Sequence, residues 1–226
     1  LLHGLLPVAI IHLQGDDGTA LVMAVIFAAM LFTAGLSWKY ILPVAAMIPP
    51  AAIVAWNFLL DDDKKNRILA VIDPTLVEAA DSWQQQRGLI SIGNGGLWGN
   101  GVFMETGQFR YVPEVYNDFI FTYIGETVGF IGCLAVLLVL AFLCIRILSN
   151  GLRAPDDLGK YICVGVFAMI GIQIIINIGM CLGMMPVIGV TLPFLSAGGT
   201  STGTLYLAIG VVLSVYVHSG KDRLFG

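Results

Sequence analysis

A chain of 226 residues that is 58% hydrophobic and 12% charged, with a mean hydropathy of +0.88, is too apolar to coat a globule in water. Its net charge of -4 is small and no run of Lys or Arg follows a phosphate backbone, which excludes nucleic acid as a partner. Composition therefore puts the chain in a bilayer.

Taken in order, the apolar runs at 19–36, 40–60, 123–145, 161–182 and 203–218 approach the roughly 20 residues a spanning helix needs, and residues 1–13 read as the end of a sixth. The opening stretch has no basic segment or small-residue cleavage site, so it reads as the remainder of a longer protein rather than a leader. Asp16 and Asp17 precede Gly18 and Thr19 at the start of a span, where carboxylates suit the free N–H groups of a helix N-terminus. Asp61, Asp62 and Asp63 contain a D-x-D pattern, but Lys64, Lys65 and Arg67 follow at once, which favours a solvated, self-neutralised helix exit. Cys133, Cys144, Cys163 and Cys181 lie in apolar runs without CxxC spacing or a neighbouring His, which argues against disulfides and zinc. His3, His12 and His218 are widely separated and read as interfacial or packed side chains.

Between the second and third full spans lies a polar, Gly-rich segment, 61–122, too long for a structureless connection and the first place to seek function. Short-loop charge orients the chain: Lys39, then Arg146, Arg153 and Lys160, then Lys221 and Arg223 alternate correctly, which sets the C-terminus and Leu1 on the cytoplasmic side and segment 61–122 outside. Within that segment "IGNGGLWGNG", 92–101, lacks the Lys-Ser/Thr of a phosphate-cradling loop. A tight path of backbone over the membrane surface fits better, with Trp83 and Trp98 at headgroup level.

"VPEVYNDFIF", 112–121, carries the most chemistry. Pro113 suits the first turn of a helix, and continuing that helix sets Glu114, Asp118, Thr122 and Glu126 at successive i+4 positions. Glu126 would lie roughly 12 Å deeper than Asp118 along the axis. Ionisable groups at such depth are costly and functional by default. The outer segment has no His or Cys, so proton transfer there falls to a carboxylate, Tyr or Lys, and Asp118, flanked by aromatics, is the candidate. At this point a catalytic or substrate role and a structural helix-end role both stand. Further on, "NIGMCLGMMPVIGVTLPFLSAGGTST", 177–202, cannot be one helix because of Pro186 and Pro193. A span should end near Met185, and the irregular backbone beyond it must line a protein-buried or watery cavity shared with the long loop.

These stretches, "GNGGLWGNG", "FRYVPEVYNDFIFTYIGETVGFIG", "NIGMCLGMMPVIGVTLPFLSAGGTST" and "QGDDGTAL", in this order and spacing, resemble the SEDS family of shape, elongation, division and sporulation proteins. The departures are Gln14-Gly15-Asp16-Asp17-Gly18 for the usual Q-P-D-L-G, and Ser196-Ala197-Gly198-Gly199-Thr200-Ser201 for S-Y-G-G-S-S. The resemblance implies an all-α polytopic membrane protein, residues 1–226 being a single domain and the C-terminal six of ten spans, with 61–122 as the large extracellular loop of a bacterial cytoplasmic-membrane protein. It implies a peptidoglycan glycosyltransferase that polymerises lipid II, an undecaprenyl-linked disaccharide peptide, beside a class B penicillin-binding protein transpeptidase and among membrane lipids.

The family's proposed catalytic carboxylate falls on Asp118. Glu114 and Glu126 fall on acidic positions of the same motif, and with Arg110, Ser196 and Thr200 they are the expected substrate-binding residues; Lys64 and Lys65 are further candidates for meeting a diphosphate. No cofactor is required by the resemblance, and a divalent cation stays open because the leaving group is anionic. A lipid flippase or solute carrier is the competing class, but "VGFIGCLAVLLVLAFLC" after Glu126 offers no polar path onward. A noncatalytic scaffold of a cell-wall synthase is the third.

Overall fold

The computed structural model describes residues 2–103 and 107–225, without the side chains at 38, 41, 45, 59, 79–81, 108 and 220–225. Leu1 and the side chains of Lys221 and Arg223, on which part of the orientation argument rested, lie outside the described residues. The chain is all-helical: α1 (Leu2–Leu13), α2 (Asp17–Thr33), α3 (Trp38–Val54), α4 (Asp62–Ile72), α5 (Ala79–Gly95), α6 (Ile120–Leu152), α7 (Asp157–Cys181) and α8 (Gly199–Phe225). Each apolar run of the sequence has become a helix. Among the described residues, α6, α7 and α8 are long and apolar enough to cross a membrane, while α1, α2 and Leu42–Phe58 are shorter apolar helices.

Local chemistry accounts for the ends. Asp16 caps α2 by accepting from Thr19 N (2.9 Å), and Asp156 caps α7 by accepting from Gly159 N (3.2 Å). Asp62 and Asp63 occupy the first turn of α4, so the acidic triplet opens a new helix rather than ending a span, and its charge sits at the favourable end of that helix's dipole. α7 stops at Cys181, four residues before Met185. Gly183 takes a left-handed φ of 69°, and Met184 N bonds back to Gly179 O at 2.8 Å, which closes the helix.

α7 is the hub, packed against α2, α6 and α8. Val22 of α2, Ile176 and Met180 of α7, and Val190 form one buried cluster, while Cys144, Ile147, Cys163, Ile170, Leu205 and Val212 join α6, α7 and α8 in another. All four cysteines are free and buried. Segment 61–122 is itself folded. α5 presents Gln85, Gly88, Ser91 and Gly95 along one face at helical spacing, small or buried groups that let it lie against α6.

The Gly-rich stretch meets a break in α6. Gly129 has φ 77°, which interrupts the helix and frees backbone groups on both sides. The stretch supplies their partners: Asn100 N and Gly101 N donate to Glu126 O and Thr127 O (both 2.9 Å), and Phe130 N and Ile131 N donate to Gly96 O and Leu97 O (2.9 and 3.2 Å). Unpaired backbone inside an apolar span is expensive, so the loop and the break require each other. Gly129→Ala is expected to destabilise on two counts, left-handed strain and overlap with the Leu97 backbone, each worth about 1–3 kcal/mol. Chemical denaturation in detergent micelles, compared with Gly171→Ala, where a methyl group meets nothing, checks this.

Candidate active site

The continuous helix expected from Pro113 onward does not form. Glu114 adopts a left-handed φ of 50°, and its carbonyl accepts from both Asn117 N (3.0 Å) and Phe119 N (3.2 Å), making a compact turn; α6 begins only at Ile120. The acidic stripe is therefore broken into two sites. The turn is anchored by Val115, buried, and Phe119, fully buried, within the core that Phe109, Val112 and Leu192 share. Tyr123 stacks edge-on with Phe109 at 5.0 Å and tilts against Tyr116 at 5.5 Å.

The irregular segment after α7 is laced to this turn. Ser196 Oγ donates to Asn117 O (2.6 Å) and accepts from Leu192 N (2.7 Å), and Ala197 N donates to Tyr116 O (2.8 Å). Asn177, 0% exposed on α7, donates Nδ2 to both Asp118 O (2.7 Å) and Val190 O (2.8 Å). One buried amide thus holds the backbone of Asp118 and the opposite wall together. The irregular stretch within 177–202 and the long loop are thus joined by direct hydrogen bonds between 116–118 and 190–197.

The Asp118 carboxylate is half-buried, and among the described residues it has no hydrogen-bond or ion-pair partner. A methyl group at Gly189, φ 72°, would stand 3.5 Å from its Oδ2, so a backbone without a side chain faces it and leaves room. Burial pushes the Asp118 carboxyl above the ordinary aspartate range, and the charge of nearby Glu114 raises it further. An unpaired carboxylate with a raised proton affinity is a competent proton acceptor.

The other expected site residues fall in different places. Glu114 is exposed and accepts from Asn117 Nδ2 (2.6 Å), at the rim of the same turn. Glu126, 1% exposed, accepts from Ser91 Oγ of α5 and from Phe109 N (2.8 Å). Its described bonds tie α5 and the turn 108–111 to α6, which is a tether inside the protein rather than a step on a path from the surface. Ser196 is spent on the backbone bonds above. Arg110 is exposed beside Phe109, and Thr200 is exposed at the start of α8, with no described hydrogen bond joining it to the Asp118 turn. Lys64 pairs with Asp17 (2.7 Å), whose other oxygen is 2.7 Å from His12 Nδ1, and Lys65 with Asp62 (3.7 Å).

With this geometry in view, comparison with known proteins becomes specific. The family model for the cell cycle proteins FtsW, RodA and SpoVE matches residues 1–221. The chain belongs to that family. It is 33% identical over 218 residues to the peptidoglycan glycosyltransferase MrdB of Escherichia coli (strain K12), covering 94% of this chain and 58% of MrdB. It is 37% identical over 210 residues to stage V sporulation protein E of Bacillus subtilis (strain 168), covering 93% and 57%. A chain in a solved structure on the coordination of polymerization and crosslinking by a peptidoglycan synthase complex superposes with a TM-score of 0.78 at 27% identity, over 94% of this chain and 59% of that one. The chain thus spans little more than half the length of these relatives.

Among the described residues no three His, Cys, Asp or Glu side chains gather into a metal-ligand set. Two residues escaped the sequence reading. Asn177 and Ser91 were visible only as polar side chains in apolar or mixed helical stretches, and their targets are backbone and carboxyl groups distant in sequence. Asn177→Leu leaves Val190 O without its side-chain donor and Asp118 O with only the long bond from Cys181 Sγ (3.7 Å), a cost of about 1–3 kcal/mol for the orphaned carbonyl and less for the other. Activity should fall along with denaturation midpoint in that variant, whereas Asn177→Gln at the same position should recover part of both; equal midpoints for wild type and Asn177→Leu would refute the latch.

Proposed function

We propose that this chain carries the catalytic part of a peptidoglycan glycosyltransferase that polymerises lipid II at the outer face of the bacterial cytoplasmic membrane. The observation that carries it is the half-buried Asp118 carboxylate, without a partner among the described residues, held at the head of α6 by Asn177 and opposite the bare backbone of Gly189. Similarity to the glycosyltransferase MrdB over nearly the whole chain supports the reaction class. The positive-inside argument supports the orientation, with segment 61–122 outside and the C-terminus cytoplasmic.

In this reading Asp118 accepts the proton of the GlcNAc 4-hydroxyl of one lipid-linked disaccharide. The freed oxygen pair attacks the anomeric carbon of MurNAc on another, and the carbon–oxygen bond to the diphosphate breaks, so undecaprenyl diphosphate departs with the electron pair. A single displacement inverts the α-linked diphosphate to a β-1,4 glycoside, and one base suffices. Holding two lipid-anchored sugars in line supplies much of the remaining acceleration. Glu114, Arg110 and Thr200, all exposed, are the polar groups we assign to meeting substrate, with Glu126 and Ser196 acting through the backbone they hold. The partner is a class B penicillin-binding protein that crosslinks the strand, a reading supported by the likeness to a chain of a synthase complex.

The test is polymerisation of purified lipid II by the full-length protein with its transpeptidase in proteoliposomes. Glycan strands made by wild type and not by Asp118→Asn establish the reading. Movement of labelled lipid between leaflets without strand formation replaces it with a flippase.

A further inference from the structure

Among the described residues, Arg67 of α4 has no carboxylate partner. Along α4, Lys64 and Arg67 are three residues apart and share a face. Lys64 is bound to Asp17, and Lys65 points to Asp62. Arg67 is exposed, and its described bond is from Nη1 to Val187 O, at 3.1 Å. No described carboxylate pairs with it, although Asp61, Asp62 and Asp63 open the same helix. The bond to Val187 takes one donor of the guanidinium fork and leaves its other N–H groups and its full charge facing the medium.

The anchor point matters because of the backbone just beyond it. Val187 leads through Ile188 to Gly189, the backbone that faces the Asp118 carboxylate, and the same strip rests on Gly18 at the head of α2, which sits against Ile188 O and Val190. Two residues of chain span at most about 7 Å, so the path through Val187 and Gly189 limits the separation of the guanidinium from the Asp118 carboxylate to on the order of 10 Å. In-line transfer requires the base and the leaving-group cation on opposite sides of the anomeric carbon. One hydrogen bond, one attack distance and one carbon–oxygen–phosphorus link put the diphosphate about 8–11 Å from the base.

We infer that Arg67, fixed to Val187 O and supported by the adjacent Lys64–Asp17 pair, is the diphosphate-binding subsite for the lipid-linked donor sugar. The inference rests on the glycosyltransferase reading and deepens it by assigning a ligand chemistry to α4. A guanidinium held by a carbonyl on one edge offers bidentate bonds to phosphate oxygens on the other, and its charge rises in worth as negative charge moves onto the leaving diphosphate. Lys64 acts at second remove, as a positioning residue that keeps α4 docked on the α1–α2 turn.

The experiment uses the full-length protein in neutral phosphatidylcholine vesicles, with undecaprenyl diphosphate and undecaprenyl monophosphate as competing inhibitors of lipid II polymerisation. Arg67→Gln keeps a donor for Val187 O and removes the charge. It is expected to raise the lipid II KM and the diphosphate inhibition constant roughly ten- to a hundredfold, and to abolish the preference of wild type for diphosphate over monophosphate. Arg67→Lys should restore part of that preference. A variant with unchanged preference for diphosphate overturns the subsite, as does a preference that appears only when anionic phosphatidylglycerol is added, which would make Arg67 a headgroup contact. A wild type that binds undecaprenyl diphosphate selectively but forms no glycan keeps the subsite and sinks the polymerase reading, so the two failures are distinguishable.

Discussion

Asp118→Asn should abolish glycan polymerisation while leaving the protein as stable as wild type or more so. The substitution keeps the shape of the side chain and removes its capacity to accept a proton, a loss of about 10²–10⁴-fold for general base catalysis. The fold has little to lose, because Asp118 is held through its backbone carbonyl by Asn177, and its carboxylate has no described partner. The proton linkage has a definite sign. Burial and Glu114 raise the folded-state pKa above the unfolded value, so this carboxyl contributes stability that is present in full below the unfolded pKa and lost as pH rises through the folded one. At neutral pH the ionised group is a net cost, which asparagine removes. For the wild type, the polymerisation rate should fall on acidification with a midpoint above the ordinary aspartate range. Glu114→Gln, which removes the second cause of the shift, should move that midpoint down. The measurements are strand formation against pH and thermal midpoint in detergent, read on the same preparations. A markedly lowered midpoint in Asp118→Asn would show instead that the residue is structural.

Glu126→Leu should damage the fold severely. The carboxylate is 1% exposed and accepts from Ser91 Oγ and Phe109 N. Leucine fills the space but leaves a buried hydroxyl and a buried backbone N–H without acceptors, at about 1–3 kcal/mol each, for a total of about 2–6 kcal/mol. Glutamine retains an acceptor oxygen and should lose about half as much. Because these bonds tie α5 and the turn at 108–111 to α6, loss of the tether should also raise proteolytic nicking between α5 and α6 before the core unfolds. Uniform unfolding of Glu126→Leu, with no selective cleavage there, would contradict the tether.

The helical class and the membrane location were legible in the residues. Long apolar runs have one stable solution in lipid, the helix, because no other structure satisfies every backbone group within its own segment. Each run accordingly became a helix, although α3 and its neighbours fall short of the length that α6, α7 and α8 reach. Asp16 as a cap was legible for the same reason, since a cap involves partners only three residues away. The spacing of Glu114, Asp118 and Glu126 was legible too, but its meaning was not. A helical period assumes helical dihedrals, and the left-handed Glu114 ends the assumption four residues before Asp118.

By itself, then, the sequence determined that this is an all-helical membrane protein of the FtsW, RodA and SpoVE family and singled out Asp118 at the head of a span. Only the tertiary structure decided that Glu126 is an internal tether, that Asn177 joins Asp118 to the opposite wall, and that Arg67 bonds to Val187 of that wall with no carboxylate partner among the described residues. The physical reason is range. Caps, periods and hydropathy act within a few residues, whereas Asn177 and Asp118 are 59 residues apart in the chain, and Arg67 and Val187 are 120 apart. Pairing at that distance is settled by how α4 to α7 pack around the break in α6 at Gly129.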